Sequence, residues 1–307
     1  MTTTGGRHLA IVGATASGKS ALALALARRN PDFELVSVDA MQVYRGMDIG
    51  TAKPTPAERA EVPHHLLDVA DPDEDFSVAR FQSAARSTLA GIEGRGRRAV
   101  LVGGTGLYVR AVVDDLTLPG RYPEARAAVE AEGDTSVLYR RLGEIDSVAA
   151  SRIEPSNRRR LVRALEVTLG SGRPFSSFGP GLAAYPPSPI TQVGLRLAPE
   201  LLDARIAARL RMMLDAGFLD EVRRLAAQPA GLSRTARQAL GYRELLASVE
   251  EGVPPEDAVA ETLRRTRRFA RRQLRWFRRD PRISWHDPGD NFLALLPHIL
   301  GDCQPCS

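Results

Sequence analysis

Cysteine is scarce in this sequence, and long apolar segments are absent. Only two of the 307 residues are cysteine, Cys303 and Cys306, so the chain cannot form a disulfide framework and fits a reducing compartment. Their spacing is that of half a zinc site, but without a second pair it favours an ordinary chain end over a metal site. No apolar run approaches the ~18 residues of a membrane span, and residues 1–6 lack the apolar core of a signal peptide. We therefore expect a cytoplasmic protein without membrane contact.

Acidic residues are absent from one strongly basic segment. Residues 264–279 contain nine arginines and no aspartate or glutamate. Because the net charge of the chain is only +5, the remaining residues together are net negative. On a helical projection all nine arginines lie on one side, with Phe269 and Trp276 beside them. A solvated surface normally mixes both signs of charge, so this side favours a nucleic-acid backbone, and four further arginines within residues 158–163 suggest a second contact with the same polyanion.

The hydrophobic pattern alternates between strands and helices in the first third of the chain. The patterns of residues 8–12, 33–38 and 99–102 are typical of strands, and residues 19–29 and 77–93 are typical of helices. Strands that alternate with helices indicate a parallel α/β sheet, whose ligands bind beyond the carboxyl ends of the strands.

A change of pattern after Gly120 indicates an insertion. Residues 123–170 are almost wholly helical in pattern, and strand character returns at residues 190–197. A long helix is then predicted at residues 257–279, followed by an irregular tail beyond Pro281. We therefore predict three parts, which are an α/β core formed by residues 1–120 and 187–290, a helical insertion formed by residues 121–186, and a tail formed by residues 291–307.

A glycine-rich phosphate-binding pattern follows the first predicted strand. It consists of a glycine, four residues and Gly-Lys-Ser, in the order Gly13, Ala14, Thr15, Ala16, Ser17, Gly18, Lys19 and Ser20. The glycines let backbone N–H groups turn toward one anion, the lysine supplies a cation, and the serine hydroxyl can hold Mg²⁺ at the start of the helix. The pattern predicts a P-loop NTPase-like α/β fold with a polyphosphate or diphosphate site, and it does not by itself identify a nucleotide.

Two polar residues follow the next predicted strands. Asp39 could coordinate Mg²⁺ or accept a proton from a nucleophile, and equally it could be a turn or helix-capping aspartate. The third strand ends in glycines and Thr105, where a nucleotide hydrolase commonly has an acid, and this disfavours a hydrolysis motor. For Thr105 we favour a hydroxyl that contacts a substrate oxygen, approached closely past Gly103, Gly104 and Gly106, over a simple helix cap.

These motifs resemble those of the tRNA dimethylallyltransferase (tRNA isopentenyltransferase) family of bacterial type. The block Gly46–Pro54, together with Asp39, is much more specific than the phosphate-binding loop. The matching blocks occur in the family's order over about residues 8–285, and they comprise residues 13–20, 37–39, 42–44, 46–54, 62–65, 102–108, 160–167 and 238–244.

The resemblance implies transfer of a dimethylallyl group from dimethylallyl diphosphate to N6 of adenosine 37, beside the tRNA anticodon, with release of diphosphate. It implies that Asp39 is the base that takes the amine proton. Thr105, Arg209 and Mg²⁺ near Ser20 would stabilise the departing diphosphate, with Arg205 as the alternative to Arg209. The phosphate-binding loop would then hold a leaving group rather than ATP. Because an enzyme that holds tRNA between two basic segments of one chain needs no partner chain, we expect a monomer.

The resemblance also implies which residues contact the tRNA anticodon stem-loop around an adenine that is flipped out of its stack. These residues lie after the second and third strands, in the insertion, and before the arginine-rich segment. They are Asp39, Ala40, Met41, Gln42, Thr105, Arg126, Arg159, Arg160, Leu161, Val162, Arg163, Arg237, Gln238, Gly241, Tyr242 and Arg243.

Three other functions share parts of this pattern. A small-molecule or nucleoside kinase has the same strand, phosphate-binding loop and aspartate, but it would consume ATP and ignore tRNA. An isopentenyltransferase of free adenine nucleotides would leave the arginine-rich segment with little purpose. A nucleic-acid-binding module with a vestigial loop would lose no activity when Asp39 is replaced.

Overall fold

The computed structural model of the protein describes residues 8–288, 292–297 and 299. Spatial contacts divide these residues into two compact units, one drawn from residues 1–114 and 187–307 and the other from residues 115–186. Cys303 and Cys306, with most of the predicted tail, lie outside the described residues. Within the described part, no helix combines the length and the apolar character that crossing a bilayer requires.

A six-stranded, wholly parallel sheet forms the centre of the first unit. Its strands are β1 (His8–Gly13), β2 (Phe33–Ser37), β3 (His64–His65), β4 (Arg98–Gly103), β5 (Ile190–Leu195) and β6 (Ile283–His286), in the spatial order β3-β2-β4-β1-β5-β6. Every residue of β1 is buried. Leu9 and Ile11 belong to one apolar cluster while Ala10 and Val12 belong to another, because helices cover both faces of the sheet.

Thirteen α-helices are found in the described residues. In chain order they are α1 (Lys19–Arg29), α2 (Pro56–Glu61), α3 (Val78–Gly94), α4 (Gly106–Val113), α5 (Pro123–Glu130), α6 (Thr135–Ile145), α7 (Ser147–Ser151), α8 (Arg158–Ser171), α9 (Pro199–Asp215), α10 (Phe218–Ala226), α11 (Arg234–Arg237), α12 (Tyr242–Glu251) and α13 (Pro255–Phe277). Short 3₁₀ helices occupy Phe175–Phe178 and Phe292–Leu295. The first unit contains α1–α4 and α9–α13, and the second contains α5–α8.

The sequence-based prediction of an α/β, P-loop NTPase-like fold is confirmed by the parallel sheet and by the strand, loop and helix that begin it. Two strands were not predicted. One is β3, which has only two residues, and the other is β6, which lies where an irregular tail was expected. Both are edge strands, and β6 contains the polar Ser284 and His286, so neither has the continuous apolar run that marks a central strand.

The second unit has its own small core. Helices α5, α6 and α8 contribute Val129, Leu138, Leu142 and Leu161 to one buried cluster. Side-chain oxygens cap the starts of α6, α7 and α8, which explains why a short segment holds three separate helices.

Candidate active site

The carboxyl edge of the sheet brings the predicted catalytic residues to one cavity. The phosphate-binding loop follows β1, Asp39 follows β2, Thr105 follows β4, and Arg209 projects from α9, which follows β5. Thr15 and these three side chains line a cavity of about 340 Å³. Its other walls are largely apolar and include Ile206, Leu210, Met213, Phe218, Leu240 and Phe269. The cavity therefore joins a polar, phosphate-binding end to an apolar wall.

The phosphate-binding loop has the backbone that an anion site needs. Gly13 has φ +146°, and a Cβ there would lie 2.7 Å from the carbonyl oxygen of Leu195, so only glycine fits. Gly18, with φ +95°, begins α1 without a side-chain cap, which leaves the first helical N–H groups available to a ligand. The Ser17 hydroxyl is buried and has no hydrogen-bond partner among the described residues. These hydrogen-bond donors suit an anion.

Two cations crowd the same end of the cavity. Burial and the nearby positive charge of Arg209 lower the pKa of Lys19 to about 7, although the carboxylate of Asp39 opposes the shift. Burial also lowers the pKa of Arg209. Arg209 donates a hydrogen bond to the Thr15 hydroxyl at 3.3 Å, and Lys19 donates to the carbonyl of Ala14. A bound polyphosphate would relieve this repulsion, because its negative charge would offset the two cations.

The two carboxylate oxygens of Asp39 have different surroundings. Its Oδ1 accepts hydrogen bonds from the backbone N–H of Met41 at 2.8 Å and of Gln42 at 3.4 Å, so it is a turn aspartate. Its other oxygen has no hydrogen-bond partner in the described part of the chain, and the side chain lines the cavity. One oxygen holds the loop, and the second is available to a ligand.

Thr105 does not act as a helix cap. It occupies the position before α4, yet its hydroxyl makes no capping hydrogen bond and instead accepts from the N–H of Ala40 at 3.2 Å. The expected role of the neighbouring glycines is corrected. A Cβ at Gly103, Gly104 or Gly106 would collide with the protein itself, namely with the backbone of Val38 and the side chains of Gln273 and Trp276. The glycines make room for β2 and α13 rather than for a substrate.

The residues expected to contact RNA near the cavity differ in accessibility. Ala40, Met41 and Gln238 line the cavity, and Arg243 is exposed. Tyr242 also borders the cavity, but it is 0% exposed. Gly241 is buried against Phe218, and Arg237 pairs with Glu250.

Gln42 does not line the cavity, because both ends of its amide are engaged within the protein. The amide oxygen accepts from Ser37 at 2.7 Å, and the amide nitrogen donates to the carbonyls of Thr51 and Ala52. The side chain therefore joins the end of β2 to the backbone of residues 51 and 52, and its expected contact with tRNA stays a prediction.

In the second unit, two expected RNA contacts are core residues. Leu161 is 0% exposed and Val162 is 3% exposed, and both belong to the apolar cluster of that unit. Their side chains cannot reach a ligand, which corrects the expectation from the sequence. Arg126 and Arg163 both pair with the buried Glu166.

Arg159 and Arg160 of α8, unlike Arg163, are exposed and have no ion-pair partner within the residues described. These two arginines are the part of the second basic segment whose charge is available to a polyanion.

The arginine-rich side of α13 is partly neutralised by one acid of the same helix and by two acids from other helices of the unit. Glu261 pairs with Arg264, Glu244 with Arg265, and Asp203 lies near Arg267 and Arg271. Five arginines of the helix and its end lack an acidic partner in the described residues: Arg268, Arg272, Arg275, Arg278 and Arg279.

The two aromatic residues of this segment have different surroundings. Phe269 lines the cavity and has the Arg272 guanidinium 5.2 Å from its ring, whereas Trp276 packs over Gly106. Trp276 is therefore a packing residue rather than part of the basic surface.

A support layer behind the site was not found from the sequence. The buried carboxylate of Glu221 accepts hydrogen bonds from three consecutive N–H groups, those of residues 48, 49 and 50, at 2.8–3.2 Å, and from the Tyr242 hydroxyl at 2.5 Å. Lys53 is almost fully buried and pairs with Asp48 and Asp68. The block Gly46–Pro54 is thus held from inside, and its sequence specificity reflects this scaffold. No sequence signal links Glu221 to a loop so far away along the chain.

Known proteins match this chain over most of its length. The family model described as IPP transferase matches residues 42–280, and the one described as isopentenyl transferase matches residues 7–69. A tRNA dimethylallyltransferase of Kineococcus radiotolerans is 50% identical over 94% of this chain and 96% of its own length. One from Bifidobacterium animalis subsp. lactis is 47% identical over 96% of this chain and 88% of its own.

Solved structures give the same result. The tRNA isopentenylpyrophosphate transferase of Bacillus halodurans is 37% identical, covers 97% of both chains and has a TM-score of 0.70. A eukaryotic dimethylallyltransferase acting on tRNA, which is 24% identical, supports the fold with a TM-score of 0.77 over 98% of this chain and 81% of that one. The kinase alternative is not favoured by any of these comparisons. Because these matches span nearly the whole chain, it belongs to the tRNA dimethylallyltransferase family.

Proposed function

We propose that the protein transfers the dimethylallyl group of dimethylallyl diphosphate to N6 of adenosine 37 of tRNA and releases diphosphate. The observation that carries the proposal is the cavity itself, where Asp39 and Arg209 line the phosphate-binding end, near the buried Lys19, and the other walls are mainly apolar. Family membership supports a prenyl transfer to tRNA.

Asp39 is the base of the proposed reaction. The exocyclic N6 of adenine is a weak nucleophile because its lone pair is delocalised into the ring. As N6 bonds to C1 of the dimethylallyl group, the C1–O bond to diphosphate breaks and the amine must lose a proton. In this proposal the proton goes to the oxygen of Asp39 that the turn leaves unpartnered, because the side chain lines the cavity.

The phosphate-binding loop and its cations stabilise the leaving group. Negative charge develops on the diphosphate as the C1–O bond breaks, and Lys19, Arg209 and the loop N–H groups supply donors in a partly desolvated site. Arg209, rather than the alternative Arg205, is the arginine that lines the cavity. Thr105 lies at the same edge and offers a hydroxyl.

The apolar walls suit the hydrocarbon part of the substrate. Leu210, Met213 and Phe269 present no group that could capture an allylic cation, and they limit the access of water to it. An adenine in a stacked anticodon loop cannot reach the carboxylate, so the base must be flipped out to enter the cavity.

Mg²⁺ is a proposed cofactor whose fit rests on Ser20. The hydroxyl of this residue is exposed at the start of α1 and has no hydrogen-bond partner in the residues described. No cluster of three or more His, Cys, Asp or Glu side chains suited to a metal occurs in that part of the chain, so the substrate's own oxygens would supply most ligands. Bound there, Mg²⁺ would neutralise part of the diphosphate charge.

The exposed arginines are the proposed contacts with the anticodon stem-loop. Arg159 and Arg160 in the second unit and the acid-free arginines of α13 carry charge that no described acid balances. Both basic segments belong to one chain, which supports action as a monomer. Because the acceptor is tRNA, we place the reaction in the cytoplasm.

The proposal is tested by incubating the protein with radiolabelled dimethylallyl diphosphate and a tRNA that carries adenosine 37. We expect label in the tRNA, none in a transcript with guanosine at position 37, and no competition by excess AMP. Labelled AMP would instead identify an isopentenyltransferase of free nucleotides. The absence of label in any acceptor would refute the proposal.

A further inference from the structure

Helix α13 has a buried polar residue on the side opposite its arginines. Gln273 lies there and is 7% exposed. A buried amide needs partners for both its donor and its acceptor, since an unpaired one would be costly. Both partners of Gln273 belong to the loops that form the proposed active site.

The amide of Gln273 bridges two loops that are far apart in sequence. Its Oε1 accepts a hydrogen bond from the backbone N–H of Thr15 at 2.9 Å, within the phosphate-binding loop. Its Nε2 donates to the carbonyl of Gly104 at 2.8 Å, immediately before Thr105. Thr15 is also the residue whose hydroxyl accepts from Arg209. One side chain thus fixes the backbone beside an anion-binding arginine and beside the hydroxyl that lines the cavity.

The amide of Gln273 is tightly packed. A Cβ on Gly104 would collide with Nε2 of Gln273, so the glycine is required by this contact. Trp276 packs over Gly106, two residues further along the same backbone segment. Any change in the length or polarity of the side chain at position 273 must therefore shift at least one of the two loops.

We propose that Gln273 is a positioning residue that sets the phosphate-binding loop and the Thr105 loop in register for the diphosphate end of the reaction. It acts through Thr15 and Gly104 and not through RNA, because it is buried on the side of α13 that faces away from the arginines. This inference rests on the proposed prenyl transfer from dimethylallyl diphosphate.

The test compares Gln273→Met with a matched control, Gln82→Met. Methionine keeps the volume of glutamine and removes both hydrogen bonds. Gln82 is 5% exposed on α3 and donates to the backbone carbonyl of Ala111 at 2.7 Å, away from the cavity. Both variants lose a buried amide, so a purely structural effect would appear equally in the two.

For Gln273→Met we expect the KM for dimethylallyl diphosphate and the Kd for inorganic diphosphate to rise about tenfold, which is the effect of roughly one lost hydrogen bond. We expect kcat to fall as well and the Kd for tRNA to stay within about twofold of the native value. Gln82→Met should lower Tm and leave all four constants unchanged. Native KM and kcat in folded Gln273→Met would overturn the inference, as would an equal change in the control.

A second variant keeps the test decisive if Gln273→Met does not fold. Gly104→Ala pushes a methyl group against Nε2 of Gln273 and should raise the same KM and Kd without changing tRNA affinity. Native constants in this variant would also overturn the inference. The unaltered protein is assayed in parallel, since a failure of that protein to label tRNA would refute the proposed function rather than the role of Gln273.

Discussion

Asparagine at position 39 separates the chemical role of Asp39 from its structural role. Asp39→Asn keeps an oxygen that can accept from the Met41 N–H, now 2.8 Å away, so the turn persists. It removes the proton acceptor in the cavity. A general base contributes about 10²–10⁴-fold, so kcat should fall by at least ~10²-fold, which corresponds to about 2.7 kcal/mol in the activation free energy.

Binding should respond differently from turnover in the same variant. The carboxylate raises the pKa of Lys19 against the effects of burial and Arg209, so it is a negative charge close to the anion site. Removing it should leave the affinity for inorganic diphosphate unchanged or higher, and tRNA affinity should change little. Steady-state transfer of labelled dimethylallyl to tRNA measures kcat, and calorimetry with diphosphate measures binding.

The matched control is Asp134→Asn, which changes an exposed aspartate with the same local geometry. Its Oδ1 accepts from the N–H two residues ahead, that of Ser136, also at 2.8 Å, at the start of α6. This variant should transfer at the native rate. A fall in kcat of less than tenfold for Asp39→Asn, together with a comparable loss of tRNA affinity, would show that Asp39 is an RNA anchor and not the base.

Two further predictions concern charge. With a pKa of about 7, Lys19 is largely neutral at pH 8 in the free protein, and bound diphosphate should raise that pKa. Binding of dimethylallyl diphosphate at pH 8 should therefore take up a proton, and the affinity should weaken as pH rises further. Calorimetry in two buffers of different ionisation enthalpy measures the uptake, which Lys19→Met should abolish, and equal apparent enthalpies for the native protein would contradict the prediction. Replacing Arg268, Arg272 and Arg275 by alanine should flatten the salt dependence of tRNA affinity by about two in log–log slope, whereas Arg264→Ala, whose charge already pairs with Glu261, should change it little. An unchanged slope in the triple variant would mean that this surface is only solvated.

The central elements of the fold were predictable because each carries a local signal. The buried strands β1 and β4 contain continuous apolar runs, β2 is mostly apolar apart from Glu34 and Ser37, and α1 is rich in alanine and leucine. The edge strand β6 has no such run, because half of its surface is open and its register depends on pairing with β5. Strand β6 forms through its pairing with β5, and its own sequence does not predict it.

The catalytic candidates were predictable for a related reason. Parallel strands place their carboxyl ends at one edge, so the polar residues after β1, β2 and β4 had to meet there once the strands were identified. That argument fixes where Lys19, Asp39 and Thr105 lie, but it does not say which oxygen of Asp39 is engaged. The division between a turn contact and an available oxygen depends on the backbone of Met41, which sequence spacing does not specify.

Three glycines and one side of α13 have other roles in the structure than those predicted from the sequence. Gly103, Gly104 and Gly106 do mark a close approach, as glycines often do, but the approaching groups are β2 and α13 of the protein itself. Helical periodicity identified the arginine side of α13 and left its opposite side as generic core. A polar residue on that side, Gln273, bonds to two loops more than 160 residues away in sequence. Helix α13 therefore has one side that we expect to bind RNA and another side that contacts the phosphate-binding loop through Gln273. We expect a substitution on the first side to affect tRNA binding and one on the second side to affect diphosphate binding.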